Sequence, residues 1–160
     1  MNTSINQTAL HRFRILDLTR GWSGPVGARL LGDLGAEVIK IEHLMGRGPA
    51  TVDPPLTKEF ARICENIFPD NDPGDQPYNR LGPFNEYNRN KLSLTLNLKD
   101  QSCKEVFLQL VSISDLVIEN YSSRVMKNFG LDYPALRKIN PTIVMVSMPG
   151  FGMTGPNNNY

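Results

Sequence analysis

The sequence predicts an α/β chain with a mainly parallel, doubly wound sheet and flanking helices. Three observations lead there. Strand-like and helix-like segments alternate along the chain, the pattern that βαβ units produce. Two strand segments, residues 115–120 (DLVIEN) and 142–147 (TIVMVS), carry apolar centres suited to strands covered on both faces. The first strand also enters a helix through a glycine-containing turn, and a second strand follows within about thirty residues, a spacing typical of one βαβ unit.

The elements follow in order. A polar leader is expected over residues 1–12. The run FRILDL at 13–18 reads as a buried strand and TRGWSGP as a turn. VGARLLGDLGA then places Val26, Leu30, Leu31 and Leu34 at helical spacing, which predicts them as the apolar face. Pro25 suits the first turn, where its missing N–H would be unpaired anyway. Gly35 suits the C-terminal end, where a left-handed backbone favours a residue without Cβ. EVIKIE at 37–42 is the second strand. Residues 46–90 are rich in Pro, Gly, Asn and Asp and are expected to form a long irregular connection, with one helix-like segment near 58–67.

Regular structure resumes with LSLTLNL at 92–98, which alternates with period two. Asp100 is placed to cap a following helix whose predicted apolar face is Val106, Leu110 and Val111. DLVIEN is the fourth strand. A short helix in SSRVMKNFG ends at Gly130, and a second, YPALRKIN, ends before Pro141. TIVMVS is the fifth strand, and the loop PGFGMTGP follows it. Ligands of such sheets bind at the carboxyl ends of the strands. The segments after Leu18, Ile41, Ile118 and Ser147 are therefore the candidate site.

Composition narrows the function classes. Of 160 residues, 17 are basic and 16 acidic, and the net charge of +1 shows no basic stripe for nucleic acid or an anionic membrane. Cys64 and Cys103 form no CxxC pair, and Cys and His are too few for a structural zinc site. The N-terminus has no apolar signal region, and no run reaches the roughly 20 apolar residues of a membrane span. A cytoplasmic protein is expected.

Each candidate motif has a structural alternative. The first turn spaces Gly21, Gly24 and Gly27 as G-x-x-G-x-x-G, where a dinucleotide fold would carry G-x-G-x-x-G. It either approaches a nucleotide or only makes the turn. His43, after the second strand, either contacts a nucleotide or is a solvated loop residue. PDNDPGD at 69–75 lacks the glycine position and final glutamate of a calcium loop and reads as a turn. NRNK, containing Asn88 and Lys91, could hold a phosphate or amide groups, or be a polar loop. In ENYSSR, Ser122 and Ser123 could bind an anion or cap the helix. No nucleophile–base triad can be assembled.

The ordered set LDLTRGWSGPVGARLLGDLGAEVIKIE, NRNKLSLTLNLKD and DLVIENYSSRVMKNFGLDYPALRKINPTIVMVSMPGFGMTGP resembles the class III CoA-transferases, a group that includes formyl-CoA transferase, carnitine CoA-transferase and the α-methylacyl-CoA racemases. The resemblance covers most of residues 15–156. It implies a Rossmann-like CoA-binding large domain, of which residues 1–160 would be the N-terminal part, a smaller domain absent from this sequence, and an interlocked homodimer. CoA or acyl-CoA would be a substrate, a carboxylic acid the acceptor, and no cofactor would be bound permanently. Trp22 and Ser23 would line the CoA site. His43 would lie near the adenine, and Asn88 and Lys91 near the nucleotide or its phosphates. Asn120, Tyr121 and Ser122 would contact CoA. Asn128 stands where a basic residue is common, so Lys127 or Arg124 would take over that contact.

The resemblance also implies covalent catalysis by an aspartate beyond Tyr160. That aspartate would pass through a mixed anhydride to an aspartyl-CoA thioester. The racemases instead use a histidine and an aspartate to exchange an α-proton. Both positions lie past this sequence, so transferase and racemase stay open here, and the chain by itself is expected to be inactive. A non-catalytic module binding CoA or a nucleotide, or a dehydrogenase's nucleotide domain, is the alternative from another class.

Overall fold

The computed structural model describes residues 8–43, 67–72 and 74–158. Five strands form one sheet: β1 Arg14–Asp17, β2 Glu37–Glu42, β3 Leu92–Thr95, β4 Leu116–Glu119 and β5 Val144–Ser147. All neighbours are parallel, in the order β3-β2-β1-β4-β5. The chain winds outward from β1 to one edge, then returns to β1's other side with β4. The strand order therefore reverses between β1 and β4, the position where open α/β sheets form a crevice.

Successive side chains of β1 point to opposite faces, and each face has its own core. On one side Ile15, Val38 and Ile118 pack with Ala28 of helix α1 (Ser23–Asp33). On the other, Leu16, Val117 and Ile41 pack with Phe107 and Val111 of α4 (Gln101–Ser112), Met126 of α5 (Val125–Phe129) and Leu136 of α6 (Tyr133–Ile139). Leu16, Phe107 and Leu136 are fully buried. Each such side chain contributes about 1.5–3 kcal/mol relative to exposure.

The helix ends follow from local chemistry. The Asp100 carboxylate accepts from the amides of Ser102 and Cys103 and starts α4, as expected. Asp132 accepts from the Ala135 amide and starts α6. Gly130, at φ 70°, closes α5 in the left-handed region.

Two predicted helix faces are corrected. In α1 the buried residues are Gly24, Pro25, Ala28 and Gly32, while Leu30 and Leu34 are about half exposed. The helix lies so close to the sheet that small residues make most of the contact; Leu31 still packs against this core as predicted, while Leu30 and Leu34 face outward. In α4 Val111 is buried and Leu110 packs against the core as predicted, but Phe107, one turn before Val111, is buried in place of Val106, which is exposed. The third strand is also shorter than predicted, ending at Thr95.

The later part of the connection is not irregular. It holds a short 3₁₀ turn, Pro69–Asn71, and two helices, α2 (Pro77–Arg80) and α3 (Gly82–Asn88). Both helices open on a proline in the first turn, which presets φ for the helix. Arg29 of α1 reaches the Glu86 carboxylate at 2.5 Å and fastens α3 against α1. The helix-like segment expected near 58–67 lies outside the described residues apart from Ile67.

Candidate functional site

The carboxyl ends of β1, β2 and β4, with α3 above them, enclose the candidate site. Its foundation is a buried charge cluster. Asp17 ends β1 with a fully buried carboxylate. Its Oδ1 accepts from the Thr19 amide at 2.8 Å and the Thr19 hydroxyl at 2.5 Å, which folds the chain sharply out of the strand. Its Oδ2 accepts from Lys91 Nζ at 2.8 Å, with Lys40 Nζ at 3.7 Å.

Lys91 also donates to the Pro25 carbonyl at 2.9 Å and to Asn88 Oδ1 at 3.0 Å. One ammonium thus joins the end of β1, the first turn of α1 and the last residue of α3. Lys40 donates to the Thr19 carbonyl at 2.7 Å. Burial pushes both lysines below the usual ammonium range, against the opposing pull of Asp17.

The turn after this cluster has two demanding positions. Gly21 has φ 76°, which an L side chain rarely adopts. At Gly24 a Cβ would lie 2.5 Å from Thr19 Cβ, so only glycine admits this approach of α1 to the strand end. The third glycine, Gly27, has open space around it.

Two cavities flank this turn. The first, of about 330 Å³, lies between the ends of β1 and β2 and helix α3. Ile41, Leu81, Phe84 and Tyr87 form apolar walls, and Thr19, Arg20, Lys40, Glu42, His43 and Asn88 supply polar groups. The second, of about 390 Å³, lies at the β1/β4 reversal and is lined by Arg20, Trp22, Ser23, Val26 and Asn120. Trp22 is 70% exposed and stacks on Tyr87, with ring centroids 5.9 Å apart and planes 12° from parallel. The pair ties the two cavities together. Apolar walls with a few placed polar groups are the usual lining of a small-molecule site.

The structure gathers some of the expected residues and separates others. Trp22, Ser23 and Asn120 share the second cavity. His43 and Asn88 line the first. The Lys91 side chain is 1% exposed, and its ammonium is enclosed by protein acceptors. The Asn120 side chain holds the Arg20 backbone from both sides, accepting from its amide at 2.8 Å and donating to its carbonyl at 2.7 Å.

Tyr121 is half-buried beside the core, its amide donating to Glu119 at 2.8 Å, and burial raises its phenol. Neither serine of ENYSSR caps α5 with its hydroxyl. The Ser122 carbonyl accepts from Val125, and the Ser123 hydroxyl donates to the Asn158 carbonyl. Ser122 and Asn128 are exposed and line neither cavity. Among the described residues no three His, Cys, Asp or Glu side chains are grouped to hold a metal, and no helix is long and apolar enough to cross a membrane.

Sequence reasoning missed Asp17, Arg20, Lys40, Phe84 and Tyr87. Arg20 had one available signal, its place two residues after a strand end. Phe84 and Tyr87 had another, a spacing of three that puts both rings on one helical face.

Comparison with known proteins agrees with this fold. The model of CoA-transferase family III matches residues 10–160. The chain is 34% identical over 159 residues to an acyl-CoA transferase of Fusarium pseudograminearum, covering 97% of this chain and 32% of that protein. It is 37% identical over 146 residues to the acetyl-CoA:oxalate CoA-transferase of Acetobacter aceti, covering 91% and 32%. Among solved structures, Rv3272 from Mycobacterium tuberculosis superposes with a TM-score of 0.74 at 30% identity, over 96% of this chain and 38% of that one. The chain spans about a third of the length of the curated relatives it matches.

Proposed function

The chain belongs to CoA-transferase family III, and from that membership we propose that it supplies the CoA cradle of an enzyme that moves CoA from an acyl-CoA thioester to a carboxylic acid. The observation that carries the reading is the pair of cavities at the carboxyl ends of β1, β2 and β4, joined at the first βα turn. Both relatives compared above are named as transferases acting on acyl-CoA.

In this reading Trp22, Ser23, His43 and Asn120 face the ligand. Asn88 and Lys91 serve by holding α3 and α1 against the strand end, and Tyr121 by packing under the turn. Ser122 and Asn128 would contact CoA only through a ligand segment that runs past the second cavity.

The chemical step in this proposal uses an aspartate outside these 160 residues. Its carboxylate attacks the thioester carbonyl, forming a mixed anhydride and releasing CoA thiolate. The thiolate then attacks the aspartyl carbonyl and frees the first carboxylic acid. The acceptor carboxylate displaces the thiolate from the aspartyl thioester, and the thiolate returns to the acceptor's carbonyl, restoring the aspartate. The same reading includes an interlocked homodimer, a cytoplasmic setting, and CoA as substrate rather than resident cofactor.

Calorimetric titration of the 160-residue chain with CoA and with NAD tests it. Binding of CoA in preference to NAD is expected. Tighter binding of NAD contradicts it and returns the dehydrogenase-type alternative.

A further inference from the structure

Arg20 is the residue that both cavities share. Its backbone is pinned by one acceptor and one donor of the Asn120 amide, so the position of its Cα is set by the end of β4 as well as by β1. Its guanidinium is an electrostatic neighbour of the Tyr121 phenol, pulling that group's pKa down against the larger upward effect of burial. No carboxylate lies within ion-pair distance of it among the described residues. Asp17 is engaged by Lys91 and Lys40, and Glu119 accepts from the Tyr121 amide. A guanidinium carries five N–H donors in a fixed fork. One phenol leaves most of them available.

This half-buried cation stands where two cavities meet. The first cavity, about 330 Å³, is at the small end of the roughly 300–1,000 Å³ range of ligand pockets, so it takes one ring-sized part of a ligand. Its Phe84 and Tyr87 walls suit a flat base. The second cavity opens over the β1/β4 reversal. A single ligand that occupies both has its connecting segment at Arg20. In CoA the segment between the adenosine and the pantetheine is a diphosphate, which matches a guanidinium fork in charge and in geometry.

We propose that Arg20 binds the diphosphate of CoA, with the base in the cavity walled by Phe84 and Tyr87 and the pantetheine leaving over the cavity lined by Trp22 and Ser23. This assignment rests on the CoA reading above. The cation selects for a ligand charged at its middle, whichever acyl group it carries.

Calorimetric titration of wild type, Arg20→Gln and Arg20→Lys with CoA and with 3′-dephospho-CoA tests the assignment, with the melting temperature of each variant recorded. Charge-assisted hydrogen bonds contribute about 1.5–3 kcal/mol, so Arg20→Gln is expected to weaken binding about 10- to 100-fold. The loss should be equal for both ligands, since both keep the diphosphate, and Arg20→Lys should recover part of it. Loss for CoA alone would move the contact to the 3′-phosphate and overturn the assignment. Unchanged affinity in Arg20→Gln overturns it too, as does a lysine variant as weak as the glutamine variant with an equally lowered melting temperature. If wild type itself leaves CoA unbound, the CoA reading fails first and this inference with it.

Discussion

Replacing Lys91 by methionine removes the ammonium that fastens three elements while keeping most of the side chain's volume. The lost contacts are Asp17 Oδ2 at 2.8 Å, the Pro25 carbonyl at 2.9 Å and Asn88 Oδ1 at 3.0 Å. Asp17 is fully buried, and only Lys40, at 3.7 Å, remains to face its Oδ2. Breaking a buried ion pair by removing one partner costs about 3–5 kcal/mol, because the other charge stays buried without compensation. A domain of this size has only about 5–15 kcal/mol in total. At about 2–4 °C per kcal/mol, Lys91→Met should lower the melting temperature by about 6–20 °C.

Urea denaturation gives the free energy, and a cycle with Asp17→Asn separates the pair from its surroundings. The double variant should be less destabilised than the sum of the single variants by as much as about 3 kcal/mol. A loss below about 1 kcal/mol for Lys91→Met, or strict additivity in the cycle, would refute the idea that this pair holds the strand end, α1 and α3 together.

Other expectations follow from neighbouring residues. Gly24→Ala places a methyl against Thr19 and should destabilise by about 1–3 kcal/mol, as overpacking does. Gly27→Ala meets open space inside a helix and should stabilise by up to about 1 kcal/mol, so urea midpoints should move in opposite directions for the two glycines. Asn120→Ala leaves the amide and carbonyl of Arg20 unpaired, and a loss of about 1–3 kcal/mol with weaker CoA binding is expected by denaturation and calorimetry.

The two buried lysines have folded pKa values below the ordinary 10.5, chiefly through burial. The native chain therefore binds fewer protons than the unfolded chain between the lowered values and 10.5, so their contribution to stability rises with pH across that window. Unfolding free energies measured on the alkaline side should show this rise, and Lys40→Met should diminish it.

Much of the fold was legible because hydrophobic period and glycine or proline punctuation are local properties. Each of the five strands stands where alternation or an apolar run placed it, and Asp100 and Gly130 end their helices as their chemistry requires. The misread face of α1 has a specific cause. Periodicity weighs leucine heavily and glycine lightly, yet α1 packs through Gly24, Ala28 and Gly32 because the sheet lies close. Volume at the interface decided the face, and a single sequence does not display that distance.

The site was legible in location and less so in roles. Strand ends marked the two cavities, one lined by His43 and the other by Trp22, Ser23 and Asn120. Lys91 reads as a free cation beside polar residues until Asp17, 74 positions earlier in the chain, is seen to meet it. Arg20 gains its significance from Asn120, 100 positions later. Such pairings depend on strand order, which no local pattern encodes.

In the CoA reading one ligand lies across the carboxyl ends of β1, β2 and β4. Mapping backbone amide shifts by NMR as CoA is added reads that directly. Perturbations should gather at residues 19–23, 41–43, 84–88 and 119–121, and spare the opposite sheet end near Arg14, Glu37 and Leu116. Shifts concentrated at that opposite end, with the turn around Arg20 undisturbed, would contradict it.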